Sequence, residues 1–152
     1  MLQKVVFFLV LNFGALATGS FLTEAGATSD WYQNLEKAPW TPPGWMFGAA
    51  WTIIMIFFSI YMAHLLIAHR YVNKIIALYS IQWILNTAWN AIFFKFQMVF
   101  LGFMEILLLT GLIAYLFLNY WSTLKTKSIF ILPYLIWLII ASSLNCYILL
   151  LN

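Results

Sequence analysis

Residues 29–51 read SDWYQNLEKAPWTPPGWMFGAAW and lie between two long apolar runs. Four tryptophans and three prolines fall in this one segment. Loops in water are rarely so aromatic; tryptophan and tyrosine gather where a chain passes the headgroup region of a bilayer. The rest of the chain agrees. Of its 152 residues, 65% are hydrophobic and 7% charged, against about 25% charged in a soluble domain. Such a chain cannot cover a water-facing surface, so residues 1–152 are read as one domain of an all-α integral membrane protein, with the lipid bilayer as its solvent. The net charge of +3 comes from scattered Lys and Arg and forms no patch for nucleic acid. The single Cys146 excludes an intrachain disulfide and a multi-cysteine metal site.

Working outward from the segment, five apolar runs each approach the roughly 20 residues that cross a bilayer. They are placed at about 4–24, 43–67, 74–95, 98–119 and 128–150. Membrane strands would alternate apolar and polar residues over about ten positions, and these runs do not. Short connectors (HRYVNK, KFQ, WSTLKTK) make sequential helices antiparallel; only the stretch of about 25–42 is long. The expected fold is a five-transmembrane-helix bundle with a long outer loop between helices 1 and 2. Lys4 with ALA at 15–17 weakly resembles a secretion signal, but the first run is read as a helix. Lys4, Arg70, Lys74, Lys125 and Lys127 mark one side, Lys37 and Lys95 the other. The positive-inside rule then puts the N-terminus in the cytoplasm, and the loop, with Glu24, Asp30 and Glu36, outside together with the C-terminus. No internal repeat suggests an inverted-repeat transporter.

Within the loop, Pro39, Pro42 and Pro43 stiffen the chain. Pro42 and Pro43 fit the first turn of the second helix, with Thr41 as its N-cap. An aromatic belt explains Trp31, Tyr32, Trp40 and Trp45, but a belt needs neither the prolines nor a fixed spacing. A rigid aromatic lid over a cavity explains both. On these residues the chain resembles the TspO/MBR family, whose pattern is roughly W-Y-x-x-L-x-K-P-x-W-x-P-P with a further tryptophan about eight residues on. Trp31, Tyr32, Leu35, Lys37, Trp40, Pro42, Pro43 and Trp51 match. So do LNTAWNAIFF (85–94), the acidic position of MEILLL (104–109) and PYLIWLIIASSLNCY (133–147). The resemblance covers essentially the whole chain, in order. Ala49 stands where the family often has proline. Tyr147 is followed only by ILLLN, so the basic residue of the animal members' sterol stretch is missing. This points to a bacterial member in a plasma membrane.

Polar residues inside the spans carry the remaining information. Gln82, Asn86, Asn90 and Phe93 recur at helical spacing beside Trp89, and amides are expensive against lipid. They serve as interhelical glue or as a cavity wall; for Gln82 glue is at least as good a reading. Glu105 is the only acid well inside a span. It is either a buried structural acid or a ligand contact, with Lys95, the amides and indole N–H groups as candidate partners. Pro133, Trp137, Ala141 and Asn145 share a stripe, with Pro133 expected to kink the fifth helix and Trp137 near its middle. Ser142 and Ser143 can bond back to the helix or to a neighbour. Trp51 and Trp137 fit an interface belt least well. His64 and His69 do not share a helix face, so no metal site is expected. GWMFG (44–48) and ALATG (15–19) allow close packing inside the monomer or in a homodimer.

The resemblance implies a function. It assigns ligand-binding roles to Trp31, Tyr32, Pro42, Pro43, Phe47, Trp51, Asn86, Trp89, Asn90, Phe93, Glu105, Trp137, Ala141, Ser142 and Asn145. The implied ligands are porphyrins such as protoporphyrin IX and planar drugs of the isoquinoline-carboxamide class, with no resident cofactor required. It also implies light-dependent breakdown of protoporphyrin IX, in which Trp51 and Trp137 hold the ring and relay electrons. A tetrapyrrole or sterol translocator, and a structural or partner-binding membrane protein, are the alternatives. No nucleophile–base pair points to hydrolysis.

Overall fold

The structure, a computed structural model, describes residues 1–23 and 26–152. Glu24, where the first span was expected to end and an outside acid was placed, lies with Ala25 outside the described residues. Six α-helices follow in order: α1 (Leu2–Thr23), α2 (Asp30–Asn34), α3 (Gly44–Ala68), α4 (Val72–Asn90), α5 (Val99–Leu124) and α6 (Leu132–Leu151). No strand occurs among the described residues. Five helices are long and one, α2, is a single turn within the loop. α1, α3 and the run 99–151 have the length and apolar composition of membrane crossings. The run 99–151 is two crossings, since α5 and α6 fold back on each other through a 3-10 turn, Lys125–Ile131. α4 falls short in composition, because it carries the amides and hydroxyls that the bundle turns inward.

The long helices close a ring. α1 packs on α3 and α4, α4 on α5, α5 on α6, and α6 on α3. The half of the ring away from the 26–43 segment is solid. Phe58, Tyr61, Met62 and Leu65 of α3 and Ile113 and Leu116 of α5 are completely buried. The Phe58 ring stacks on Tyr61 at 6.3 Å and Tyr79 at 6.2 Å, and meets Tyr134 edge-on at 5.2 Å. With no hydrophobic drive between helices in lipid, hydrogen bonds and close packing set the register. Asn12 does this for three helices: its Nδ2 donates to Ser59 Oγ at 2.8 Å, and its Oδ1 accepts from the Tyr79 hydroxyl at 2.8 Å. The Trp83 indole donates to the Leu11 carbonyl at 3.0 Å, and the Tyr61 hydroxyl to the Leu116 carbonyl at 2.8 Å.

Several local expectations change. Pro43, not Thr41, holds the N-cap position of α3, and Thr41 Oγ1 instead donates to the Ala38 carbonyl at 2.7 Å. Both prolines therefore precede the helix rather than forming its first turn. Pro133 lies in the first turn of α6, behind the 3-10 turn, where a missing N–H disturbs no helical bond. It ends a turn rather than kinking a helix, and Trp137 falls in the second turn of α6 rather than mid-helix. α5 runs on to Leu124, past the expected end at 119. α4 does not continue as α-helix to 95: Ala91–Lys95 widens into a π-turn, closed by Phe96 N–H donating to the Ala91 carbonyl at 2.9 Å. Of the small-residue motifs, ALATG is used inside the monomer. A Cβ on Gly19 would come within 2.7 Å of Asn90 Nδ2, whereas Gly44 and Gly48 have open space around them.

Candidate ligand-binding site

The segment 26–43 folds across the end of the bundle where α3 begins and α4 ends. A 3-10 turn, Gly26–Thr28, leads into α2, whose Ser29 cap accepts from Tyr32 N–H at 3.2 Å. Beyond α2 the chain runs back to Pro43. Aromatic and polar contacts hold the segment on two sides. Against the π-turn, Tyr32 meets Phe94 at 5.4 Å and Trp31 meets Phe93 at 5.6 Å, edge-on. Against α6, the Trp40 indole donates to Ser143 Oγ at 3.2 Å, and its ring meets Tyr147 at 5.5 Å. The Glu36 backbone exchanges two hydrogen bonds with the Asn152 side chain, at 2.9 and 3.2 Å.

Beneath this cover lies a cavity of about 510 Å³ between α1, α3, α4 and α6, inside the roughly 300–1,000 Å³ range of small-molecule sites. Phe47 and Trp51 from α3, Trp89 from α4, Phe93 and Phe94 from the π-turn, and Tyr32 from the cover make it aromatic. The π-turn matters here, since the extra residue per turn re-aims the side chains after Asn90. Phe93 lies stacked on Trp89, with centroids 5.1 Å apart and planes 11° from parallel. A smaller recess of about 40 Å³ shares Phe47, Trp51, Trp89 and Ala141 with the main cavity, and adds Asn86 and Trp137. Phe47 meets Trp137 edge-on at 5.4 Å, and Trp51 meets Tyr134 at 5.8 Å.

Two buried polar atoms on this wall have no hydrogen-bond partner among the described residues: the Trp89 indole N–H and Asn145 Oδ1. Asn145 Nδ2 donates back to the Ala141 carbonyl at 3.1 Å, which leaves its oxygen to accept. Two residues of the cavity wall thus carry an unspent donor and an unspent acceptor, each atom itself shielded from the cavity space. The other amides each have at least one bond, although Gln82 Oε1, away from the cavity, also lacks a partner. Asn90 Oδ1 accepts from Thr23 Oγ1 at 3.0 Å. Asn86 Oδ1 accepts from the Tyr134 hydroxyl at 3.1 Å, and that hydroxyl accepts from Gln82 Nε2 at 2.8 Å. Gln82 is therefore interhelical glue. At the cover, Lys37 Nζ donates to the carbonyls of Gln33 at 3.0 Å and Leu35 at 3.4 Å, and stands 5.0 Å from the centre of the Tyr32 ring. Burial holds the Tyr32 phenol above its usual range.

The structure gathers most of the expected residues. Tyr32, Pro42, Phe47, Trp51, Trp89, Asn90, Phe93, Ala141 and Asn145 line the main cavity; Asn86 and Trp137 line only the recess. Four stand apart from both. Trp31 lies on the far side of Phe93, along a groove with Leu35, Gln97 and Ile148. Pro43 is exposed. Ser142 faces α5, its Oγ 3.3 Å from Thr110 Oγ1. Glu105 is buried but lines neither space. Its oxygens make none of the hydrogen bonds expected for it, to Lys95, the amides or the indoles. Thr23, Lys37, Gly44, Gly48, Phe94, Leu144 and Ile148 were not anticipated as lining residues. Gly44 and Gly48 continue the Trp51 face back by helical spacing, and Leu144 and Ile148 continue the Ala141 stripe forward. Extending those stripes would have found them. The histidines lie apart, His64 stacked over Phe130 and His69 edge-on to Tyr120, and no group of three potential metal ligands occurs among the described residues.

A ring of apolar helices around a covered aromatic chamber defines a helical membrane protein with room for a small molecule. The model of the TspO/MBR family matches residues 6–151, and the chain belongs to that family. It is similar to the tryptophan-rich protein TspO of Chlorobaculum tepidum, with 36% identity over 137 residues, 88% of this chain and 86% of that protein. The protein of the same name from Archaeoglobus fulgidus is 35% identical over 136 residues, 88% of this chain and 87% of its own. The human translocator protein is 28% identical over 120 residues, 76% of this chain and 70% of its own.

Proposed function

We propose that this protein is a membrane receptor for planar hydrophobic molecules, with porphyrins such as protoporphyrin IX as the leading class, bound in the covered cavity. One observation carries the reading: an aromatic chamber of about 510 Å³ whose lining residues Trp89 and Asn145 carry an indole N–H and an amide oxygen that have no partner and that a small side-chain rotation would turn toward a guest. Such groups are costly to leave unpaired away from water, and a flat ligand with polar atoms on its edge would satisfy both while its faces contact Trp51, Phe47 and Trp89. The family's animal members imply a sterol ligand, but Tyr147 lacks the basic residue that would accompany it. The cation count supports a plasma-membrane orientation with the N-terminus inside: Lys4, Arg70, Lys74, Lys125 and Lys127 fall at the helix ends opposite the cavity.

The test is titration of the purified full-length protein with protoporphyrin IX, followed by tryptophan fluorescence. Saturable quenching that weakens about fivefold or more in Asn145→Leu supports the reading. Quenching that never saturates, or that is the same in a variant with the cavity blocked by Gly48→Trp, refutes it.

A second reading, light-driven breakdown of the bound ring, draws support from the indoles. Trp51 lines both the cavity and the recess, whereas Trp137 stands behind Phe47. Trp51 would then be the contact indole and Trp137 a relay. Illumination of the complex should give a product absent in Trp51→Phe; equal bleaching in the variant with binding intact would remove the indole from the chemistry.

A further inference from the structure

We propose that the end of the bundle opposite the cavity carries a site for an anionic phospholipid, with the headgroup between Arg70 and Lys74 and an acyl chain along α5. The site is independent of what the cavity binds. The connector between α3 and α4 forms an open basin of about 530 Å³, lined by Arg70, Tyr71, Val72, Asn73 and Lys74. All of these side chains are exposed. The backbone beneath them is fixed. Tyr71 N–H donates to His69 Nδ1 at 3.1 Å, and the His69 ring sits edge-on to Tyr120 of α5 at 5.0 Å. The two cations are thus presented on a turn ordered before any ligand arrives, which lowers the cost of binding.

The chain supplies no anion to answer them. Of its four acids, Asp30 and Glu36 belong to the cover and Glu105 to the second turn of α5, towards the cavity; Glu24 lies outside the described residues. Lys74 instead stands over the Tyr115 ring of α5, 5.8 Å from its centre. From Tyr115 an exposed stripe runs along α5 at helical spacing, through Gly111 and Leu108 to Met104. A Cβ on Gly111 would meet nothing within 4 Å, so the stripe dips at its middle. Basin and stripe therefore meet at Lys74. A phosphate with a hydrocarbon tail matches that junction. Its oxygens take charge-assisted bonds from the guanidinium and the ammonium, and its tail covers the stripe. A free phosphate ion would use the basin alone, and a zwitterionic lipid would bring a cation of its own beside Arg70. By the cation count above, this is the cytoplasmic leaflet, where anionic lipids gather.

The experiment measures phosphatidylglycerol binding to the full-length protein in detergent by native mass spectrometry, with phosphatidylcholine of the same chains for comparison. The wild type should hold one phosphatidylglycerol about tenfold more tightly, equivalent to ~1.4 kcal/mol. Arg70→Gln with Lys74→Gln should abolish that preference. Lys125→Gln with Lys127→Gln removes the same charge from the same end and should leave it within about twofold. Either single variant, Arg70→Gln or Lys74→Gln, should show part of the loss, which keeps the test open should the pair not fold. Inorganic phosphate should not displace the lipid. No preference in the wild type, or an equal loss in both pairs, overturns the proposal, the second outcome because attraction would then be spread over the whole face. Displacement by phosphate would make the basin a free-anion site and overturn it too.

Discussion

Phe93 is a fully buried wall residue, and Gly102 is what gives it room. A Cβ built on Gly102 would lie 3.2 Å from Phe93 Cδ2, 3.3 Å from its Cβ and 3.7 Å from its Cα. Carbon atoms prefer about 3.5–4.0 Å, so Gly102→Ala forces Phe93 back by a few tenths of an ångström. Phe93 is already buried between Trp89, Trp31 and Phe94, and the space open to it is the cavity. Overpacking of this kind costs about 1–3 kcal/mol. Alanine in place of a helical glycine returns roughly 0.5–1 kcal/mol. The net is a destabilisation of up to about 2.5 kcal/mol, with a smaller chamber. Gly111, on the same helix, meets nothing within 4 Å, so Gly111→Ala should show the helical gain alone. The two variants should therefore move thermal unfolding in detergent in opposite directions, each by a few degrees at roughly 2–4 °C per kcal/mol. Adding Phe93→Leu to Gly102→Ala should recover stability, because the two sites share one contact. If Gly102→Ala stabilises as much as Gly111→Ala, Phe93 is not seated against α5 and the account of this wall is wrong.

Other perturbations separate structure from binding. Asn145→Leu removes an acceptor that has no partner, so thermal stability should hold or rise slightly while porphyrin quenching weakens; a fall in both would make Asn145 structural. Asn12→Ala strands the Tyr79 hydroxyl and takes a donor from Ser59, which keeps its bond to the Met55 carbonyl at 2.6 Å, and should cost about 1–3 kcal/mol in unfolding experiments with ligand affinity of the folded fraction unchanged. Burial raises the Tyr32 phenol above its usual range, so its contribution to stability is complete below the unfolded value near 10. It is lost as pH climbs through the folded value, because the unfolded chain ionises first. Tyr32→Phe should flatten that alkaline loss in a pH series of unfolding midpoints; an unchanged profile would assign the loss to other groups.

The bundle was legible because apolar run length and connector length are local properties. Five long runs with short connectors leave few arrangements, and the cavity wall followed from helical stripes beside Trp89 and through Ala141, with Trp51 added by the family resemblance. What escaped was set by contacts distant in sequence or by backbone detail. Nothing local distinguishes a proline that kinks a helix from one that starts it, so Pro133 was placed too deep. The π-turn at 91–95 goes together with the packing of Phe93 on Gly102 and Trp89, which no spacing rule encodes. Glu105 drew attention as an intramembrane acid, yet its helix turns it away from both spaces. Asn12 was passed over because one amide in an apolar run shows no periodicity, although its two bonds join α1, α3 and α4. Lys37 was read as a motif match and a topological marker but not as a lining residue, since its position over the cavity depends on how the cover lies.

The cover's polar fastenings also bear on how the molecule is made. Trp40 bonds to a residue 103 positions further along the chain, and Glu36 to one 116 positions further. While a ribosome is still delivering α4 and α5 to the membrane, those partners do not yet exist. Until α6 is inserted the cover is fastened only on the π-turn side and the cavity lacks its α6 wall, so a ligand present during biogenesis would meet an unfinished chamber before it ever meets the covered one.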